Sequence, residues 1–248
     1  MGGQTAEPAV PPDRASDAGR FAARANRLYS EAKTRYGATP TNTAAAWTFA
    51  RACFDWAEYA TNDASRSAIA REGLRACRKL AARRPALAAA HYYLGMNLGQ
   101  LARTQSLGAL GIVSEMEQVF QRACELDETF DYAGPDRCLG LLYLDAPGWP
   151  FSLGSRRKAR THLERAVALS PDYPENRLNL LEACLRWEER AGAQREFETT
   201  AQLLPRARVA FAGEEWEAAW ADWEKRWQAV EARMKAAPTA TRPDDKAR

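Results

Sequence analysis

"ARTHLERAVALSP", residues 159–171, reads as the last three turns of a helix that stops on proline, and three other stretches repeat its plan. "GLRACRKLAARRP" (73–85), "MEQVFQRACELDE" (116–128) and "AQREFETTAQLLP" (193–205) each set small or apolar residues four and then three apart. That spacing gathers them on one face of a helix. The stretches close on Pro85, Glu128, Pro171 and Pro205, which lie 43, 43 and 34 residues apart. Helices centred on Leu-Gly or Leu-Leu pairs precede three of them: "HYYLGMNLGQLA" (91–102), "DRCLGLLYLDA" (136–146) and "NRLNLLEACLRW" (176–187). "AAAWTFARACFDWAEYA" (44–60) fills the same slot before the first.

A 34-residue period is the tetratricopeptide period, and 43 is that period plus nine. A helix pair cannot bury both of its apolar faces alone, so pairs stack, and small residues such as Gly95, Ala123, Gly140 and Ala166 let backbones approach. The expected fold is all-α, a tetratricopeptide-like right-handed solenoid of about four helix pairs over residues 44–205, with capping helices at both ends. Residues 21–36 supply the first cap. The second is "WEAAWADWEKRWQAVEARM", where Trp216, Trp220, Trp223 and Trp227 fall on one stripe and either cover the last repeat or face an oligomer. Residues 1–20 and 237–248 are rich in Pro, Ala and Asp without periodicity and read as a disordered leader and tail, which leaves 21–236 as a single helical domain.

Composition narrows the function. The formal charge is +3 from 35 basic and 32 acidic residues, and no basic stripe interleaved with aromatics recurs, so no nucleic-acid partner is expected. Cys53, Cys77, Cys124, Cys138 and Cys184 are odd in number and never form a CxxC pair, which suggests neither a disulfide framework nor a zinc site. Unpaired thiols and an N-terminus without an apolar h-region point to the cytoplasm, or to the periplasm if an export signal was trimmed. No transmembrane segment is expected.

The catalytic inventory is poor. His91 and His162 stand 71 residues apart, without a nucleophile elbow, phosphate loop or dinucleotide fingerprint, so neither an enzyme nor a cofactor is expected. "SRRKAR" (155–160) begins a helix with Ser155 as its cap. The two nine-residue surpluses, in "QLARTQSLGALGIVSEME" (100–117) and "YLDAPGWPFSLGSRRKA" (143–159), share Ser-Leu-Gly and fall on the same edge of the repeats. They either pack on their own repeat or wall a groove. The groove, lined by the first helix of each pair, is expected to present Trp56, Tyr92, Met96, Gln100, Arg137, Leu141, Leu178, Glu182 and Arg186, joined by Trp149 and Phe151 of the second surplus. That mixture suits a hydrophobic or amphipathic small molecule, and equally a peptide or partner helix.

The run from "YYLGMNLGQLA" (92–102) through Gly134-Pro135, Ala-Pro-Gly-Trp-Pro (146–150), Ser-Leu-Gly and Pro-Glu-Asn-Arg-Leu (174–178) resembles the TatT-like family, the T component of tripartite ATP-independent periplasmic transporters. The likeness spans roughly residues 86–187. It implies an all-helical, tetratricopeptide-like protein that tends to form trimers, holds a hydrophobic ligand in a pore or groove of each protomer, and assists a periplasmic ligand-binding subunit. The matching positions are the helix 92–102 and the loop through Trp149 and Phe151.

Overall fold

The computed structural model describes residues 12–105, 109–148 and 152–236. Among them are ten α-helices and no β-strand: α1 (Pro12–Ala38), α2 (Thr43–Ala57), α3 (Asp63–Arg83), α4 (Ala88–Ala102), α5 (Ala109–Leu126), α6 (Phe130–Asp145), α7 (Arg156–Leu169), α8 (Pro174–Arg186), α9 (Arg190–Ala210) and α10 (Glu217–Ala236), the last entered through a 3₁₀ turn at Glu214–Trp216. They group into two compact units that divide between Leu169 and Ser170.

In the first unit each helix packs on the next, and α2 also packs on α4 and α4 on α6. Sequential hairpins with side-by-side first helices are what stacked two-helix repeats produce. Local chemistry sets the boundaries. Asn42 and Asn62 cap α2 and α3 by accepting from the backbone N–H groups of Ala45 (2.9 Å) and Ser65 (2.8 Å). Phe120 rests where Gly95 leaves room, and Leu163 where Gly140 does: a Cβ on either glycine would fall 2.5 and 2.7 Å from those side chains. Ala123 and Ala166 are fully buried. α1 opens the stack, laying Tyr29 and Tyr36 against Phe49 of α2 with ring centroids 6.0 and 5.2 Å apart.

In the second unit α8 packs against both α9 and α10. Its core joins Tyr173, Leu178, Leu203, Ala207 and Phe211 to Trp220 and Trp223, with Trp216 and Trp227 partly buried at its margin. The tryptophan stripe therefore covers α8 and α9, and the Trp220 indole N–H donates to the Phe211 carbonyl at 2.7 Å. Two boundaries differ from the sequence expectation: α1 begins at Pro12, inside the stretch read as a disordered leader, and α9 runs through Pro205 to Ala210. Proline removes one helical hydrogen bond, here to the carbonyl of Ala201, and both residues lie on the exposed side of α9 where water replaces it.

Candidate ligand-binding site

The first unit holds a cavity of about 650 Å³ at the C-terminal ends of α2, α4 and α6. α4 makes its floor. Gly95, Gly99 and Ala102 recur at helical spacing and present almost no side chain, while Met96 and Gln100 flank them. Val113, Met116 and Phe120 of α5 form one wall, and Cys138, Leu141 and Leu142 of α6 form another, with Phe54 of α2 opposite. Phe120 closes the space at Gly95. One turn further along α4, a Cβ on Gly99 would meet only the Met116 methyl, at 3.4 Å, so the cavity opens there.

Polar groups stand at the mouth. Gln100 is 1% exposed and donates to Glu58 Oε1 at 2.5 Å, while its own oxygen accepts from Arg66 Nη1 at 2.9 Å. Arg103 Nη1 donates to both oxygens of Glu58, at 2.9 and 2.8 Å. Asp145, Ala146 and Pro147 complete the rim. Past the rim the chain turns back on itself. The N–H of Gly154 donates to the Pro147 carbonyl at 2.9 Å, and that of Ser155 to Tyr143, also at 2.9 Å. A Cβ on Gly154 would sit 2.1 Å from the Ala146 carbonyl oxygen, so the close return needs glycine.

Beneath the cavity lies an unusual backbone. Asp131, Tyr132 and Ala133 take left-handed dihedrals in succession, with φ of 51°, 57° and 59°. Each such residue costs about 1–2 kcal/mol in an L-chain, so something must hold the turn. Arg137, 5% exposed, donates to the carbonyls of Asp131 (3.3 Å) and Tyr132 (3.2 Å) and to Asp131 Oδ2 (3.1 Å). Tyr92, 1% exposed, donates to the same carboxylate oxygen at 2.6 Å. Burial pushes the Tyr92 phenol well above its ordinary pKa, and the neighbouring Asp131 charge adds to the shift. Gly134 admits the tyrosine, since a Cβ there would meet its hydroxyl at 2.7 Å.

Of the residues expected in the groove, Met96, Gln100 and Leu141 come together in the cavity. Tyr92 and Arg137 are buried one turn away in the clamp on the left-handed turn. Trp56 is half-buried on α2 and does not line the cavity. Leu178 belongs to the second unit's core, and Glu182, in the same unit, accepts from Arg226 at 2.7 Å. Arg186 is exposed at the end of α8. Trp149 and Phe151 lie outside the described residues. Sequence reasoning missed Phe54, Glu58, Gly99, Arg103, Met116, Leu142 and Asp145. The available signal was the stripe Gly95, Gly99, Ala102, a helix face with no side chains to fill it.

The remaining candidates take structural places. His91 Nε2 is 2.9 Å from the Pro85 carbonyl. His162 Nδ1 is 2.7 Å from Oδ1 of the fully buried Asp136, and its ring stacks on Tyr143. Burial beside Asp136 pushes the Cys124 thiol up to about 12, far from nucleophilic use. Ser155 Oγ accepts from the backbone N–H of Lys158 at 3.3 Å, and the Lys158 ammonium pairs with Glu117 at 3.3 Å.

Stacked helical hairpins with an apolar cavity at the ends of their first helices define a tetratricopeptide-like repeat protein. A solved structure agrees with this class: a thermophilic TPR protein of Thermus thermophilus matches with a TM-score of 0.62 and 18% identity, over 88% of this chain and 98% of that one. The family model for regulator of microtubule dynamics protein 1-3 matches residues 13–132, from α1 into the left-handed turn. No curated protein matches.

Proposed function

We propose that the protein is a non-enzymatic binding protein that holds a hydrophobic or amphipathic small molecule in the cavity between α2, α4, α5 and α6. The observation that carries this reading is the cavity itself: about 650 Å³, walled by Phe, Leu, Val and Met side chains over a glycine floor, with polar groups confined to the rim. Ligand sites have this size and this division between apolar walls and a few placed polar groups. Met96 and Met116 are flexible enough to follow the shape of a guest. A transporter-accessory role of the TatT-like kind belongs to the same proposal and is supported by the motif run of residues 86–187.

Gly99→Leu is the direct test. The new side chain projects into the cavity, and Gly99 lies in the last turn of α4, where leucine suits the helical backbone at least as well as glycine, so the fold is kept while the space is filled. Purified wild-type protein is expected to release an apolar molecule on organic extraction, or to bind an environment-sensitive apolar dye that aliphatic compounds displace. The variant is expected to do neither. A wild-type protein that carries nothing and binds no dye would overturn the reading.

A second reading is an adaptor for a protein partner. It is favoured by the family model across residues 13–132, whose description is of a regulator of microtubule dynamics. Under it, a peptide or partner helix lies in the groove, so a partner captured by the wild-type chain is lost in Gly99→Leu while the wild-type chain releases no small molecule on organic extraction.

A further inference from the structure

Resting on the cavity reading above, we infer that the occupant is a cationic amphiphile: an aliphatic chain lies over the glycine floor and a primary ammonium group docks on the Glu58 carboxylate at the mouth. Among the described residues three charged side chains line the cavity, Glu58, Asp145 and Arg103, two acidic and one basic. Arg66 reaches Gln100 from α3 but does not line the space. The C-caps of α2, α4 and α6, namely Glu58, Arg103 and Ala146, all stand at the rim. Each brings the negative end of a helix dipole to the mouth. The opposing contribution is the N-terminus of α5 at Ala109, whose first lining residue, Val113, is already a turn inside the helix.

Glu58 is also the group built to receive a cation. Gln100 is buried, held by Arg66, and fixes one carboxylate oxygen in place from the cavity side. The cation now on Glu58 is Arg103, half-exposed at 2.8 Å. An exposed ion pair of this kind is held weakly, because water solvates both partners nearly as well. A ligand ammonium brings its own apolar chain into the cavity as it displaces Arg103, whereas a ligand carboxylate would have to draw Arg103 away from Glu58 and then sit beside two carboxylates.

Matched chains separate the head group from the tail. Decylamine, decanol and decanoate, each below its micelle-forming concentration at pH 7, are titrated calorimetrically into the full chain. The amine is expected to bind about tenfold more tightly than the alcohol, and the carboxylate more weakly than either. Glu58→Gln, which keeps shape and a hydrogen bond to Gln100, should bring the amine down to the affinity of the alcohol. Arg103→Gln should strengthen amine binding, a change in the direction that misfolding cannot imitate. Equal affinities for the three heads, or preference for decanoate, would overturn the cationic assignment while leaving the cavity reading intact. Failure of all three to bind would overturn both.

Discussion

Glu188 shows how much one backbone position can hide. It follows the end of α8 with φ 60°, and the N–H groups of Glu188 and Glu189 return to the carbonyls of Leu185 (3.2 Å) and Cys184 (3.0 Å). That pair of bonds is the Schellman ending, whose left-handed residue is usually glycine. The glutamate side chain is exposed and contributes little there. Glu188→Gly is therefore expected to stabilise the fold by about 1 kcal/mol, seen as a rise of roughly 2–4 °C in Tm by circular dichroism. Two glycines of α4 differ in the opposite sense. Gly95→Ala drives a methyl group into the Phe120 ring, 2.5 Å away, and should cost about 1–3 kcal/mol in urea unfolding. Gly99→Ala meets only the flexible end of Met116 and should cost nothing.

At the scale of an element, the turn Asp131–Ala133 is where sequence reading fell short. Tyr92, Met96 and Gln100 lie on one stripe of α4, and the stripe predicted that all three face the groove. The left-handed turn comes over Tyr92 and buries it, taking Arg137 as its clamp. Nothing in "FDYAGPDR" announces three left-handed residues in a row, because none of the three is glycine or asparagine and the Arg137 clamp is completed by Tyr92, 39 positions away from Asp131. The clamp predicts an order of effects. Tyr92→Phe removes the hydrogen bond to Asp131 and a longer one accepted from Arg137 at 3.4 Å, and should cost about 1 kcal/mol. Asp131→Ala removes the carboxylate that both Tyr92 and Arg137 satisfy, leaving a buried guanidinium short of its partner, and should cost about 2–4 kcal/mol, less than a fully buried pair because Asp131 is itself 31% exposed. Urea midpoints for the two variants check the order, and a reversal would mean that the turn is held by something else.

At the scale of the molecule, the repeat ends at Pro85, Glu128 and Pro171 disclosed the helix pairs, because period and capping are local properties that a chain carries in its order of residues. The cavity was partly legible for the same reason: Met96, Gln100 and Leu141 are on faces that helical spacing identifies. Its depth was not, since depth depends on side chains that are absent at Gly95, Gly99 and Ala102 and on how far α5 stands off from them. Leu178 and Glu182 show the complementary difficulty. They occupy on α8 the register that Arg137 and Leu141 occupy on α6, counted from the helix ends at Arg186 and Asp145, but α10 lies on that face of α8, with Trp220 and Trp223 in the core beside Leu178 and Arg226 paired to Glu182. The terminal helix thus seals the surface that remains open as a cavity in the first unit. Truncation at Ala212 removes that seal and uncovers Tyr173, Leu178 and Leu203 together, an apolar patch of the kind that drives association. The truncated chain is expected to gain mass with concentration in light scattering, whereas Trp227→Ala, at the margin of the same core, is expected to retain the wild-type mass. Equal behaviour of the truncated and full chains would show that α8 and α9 need no cover.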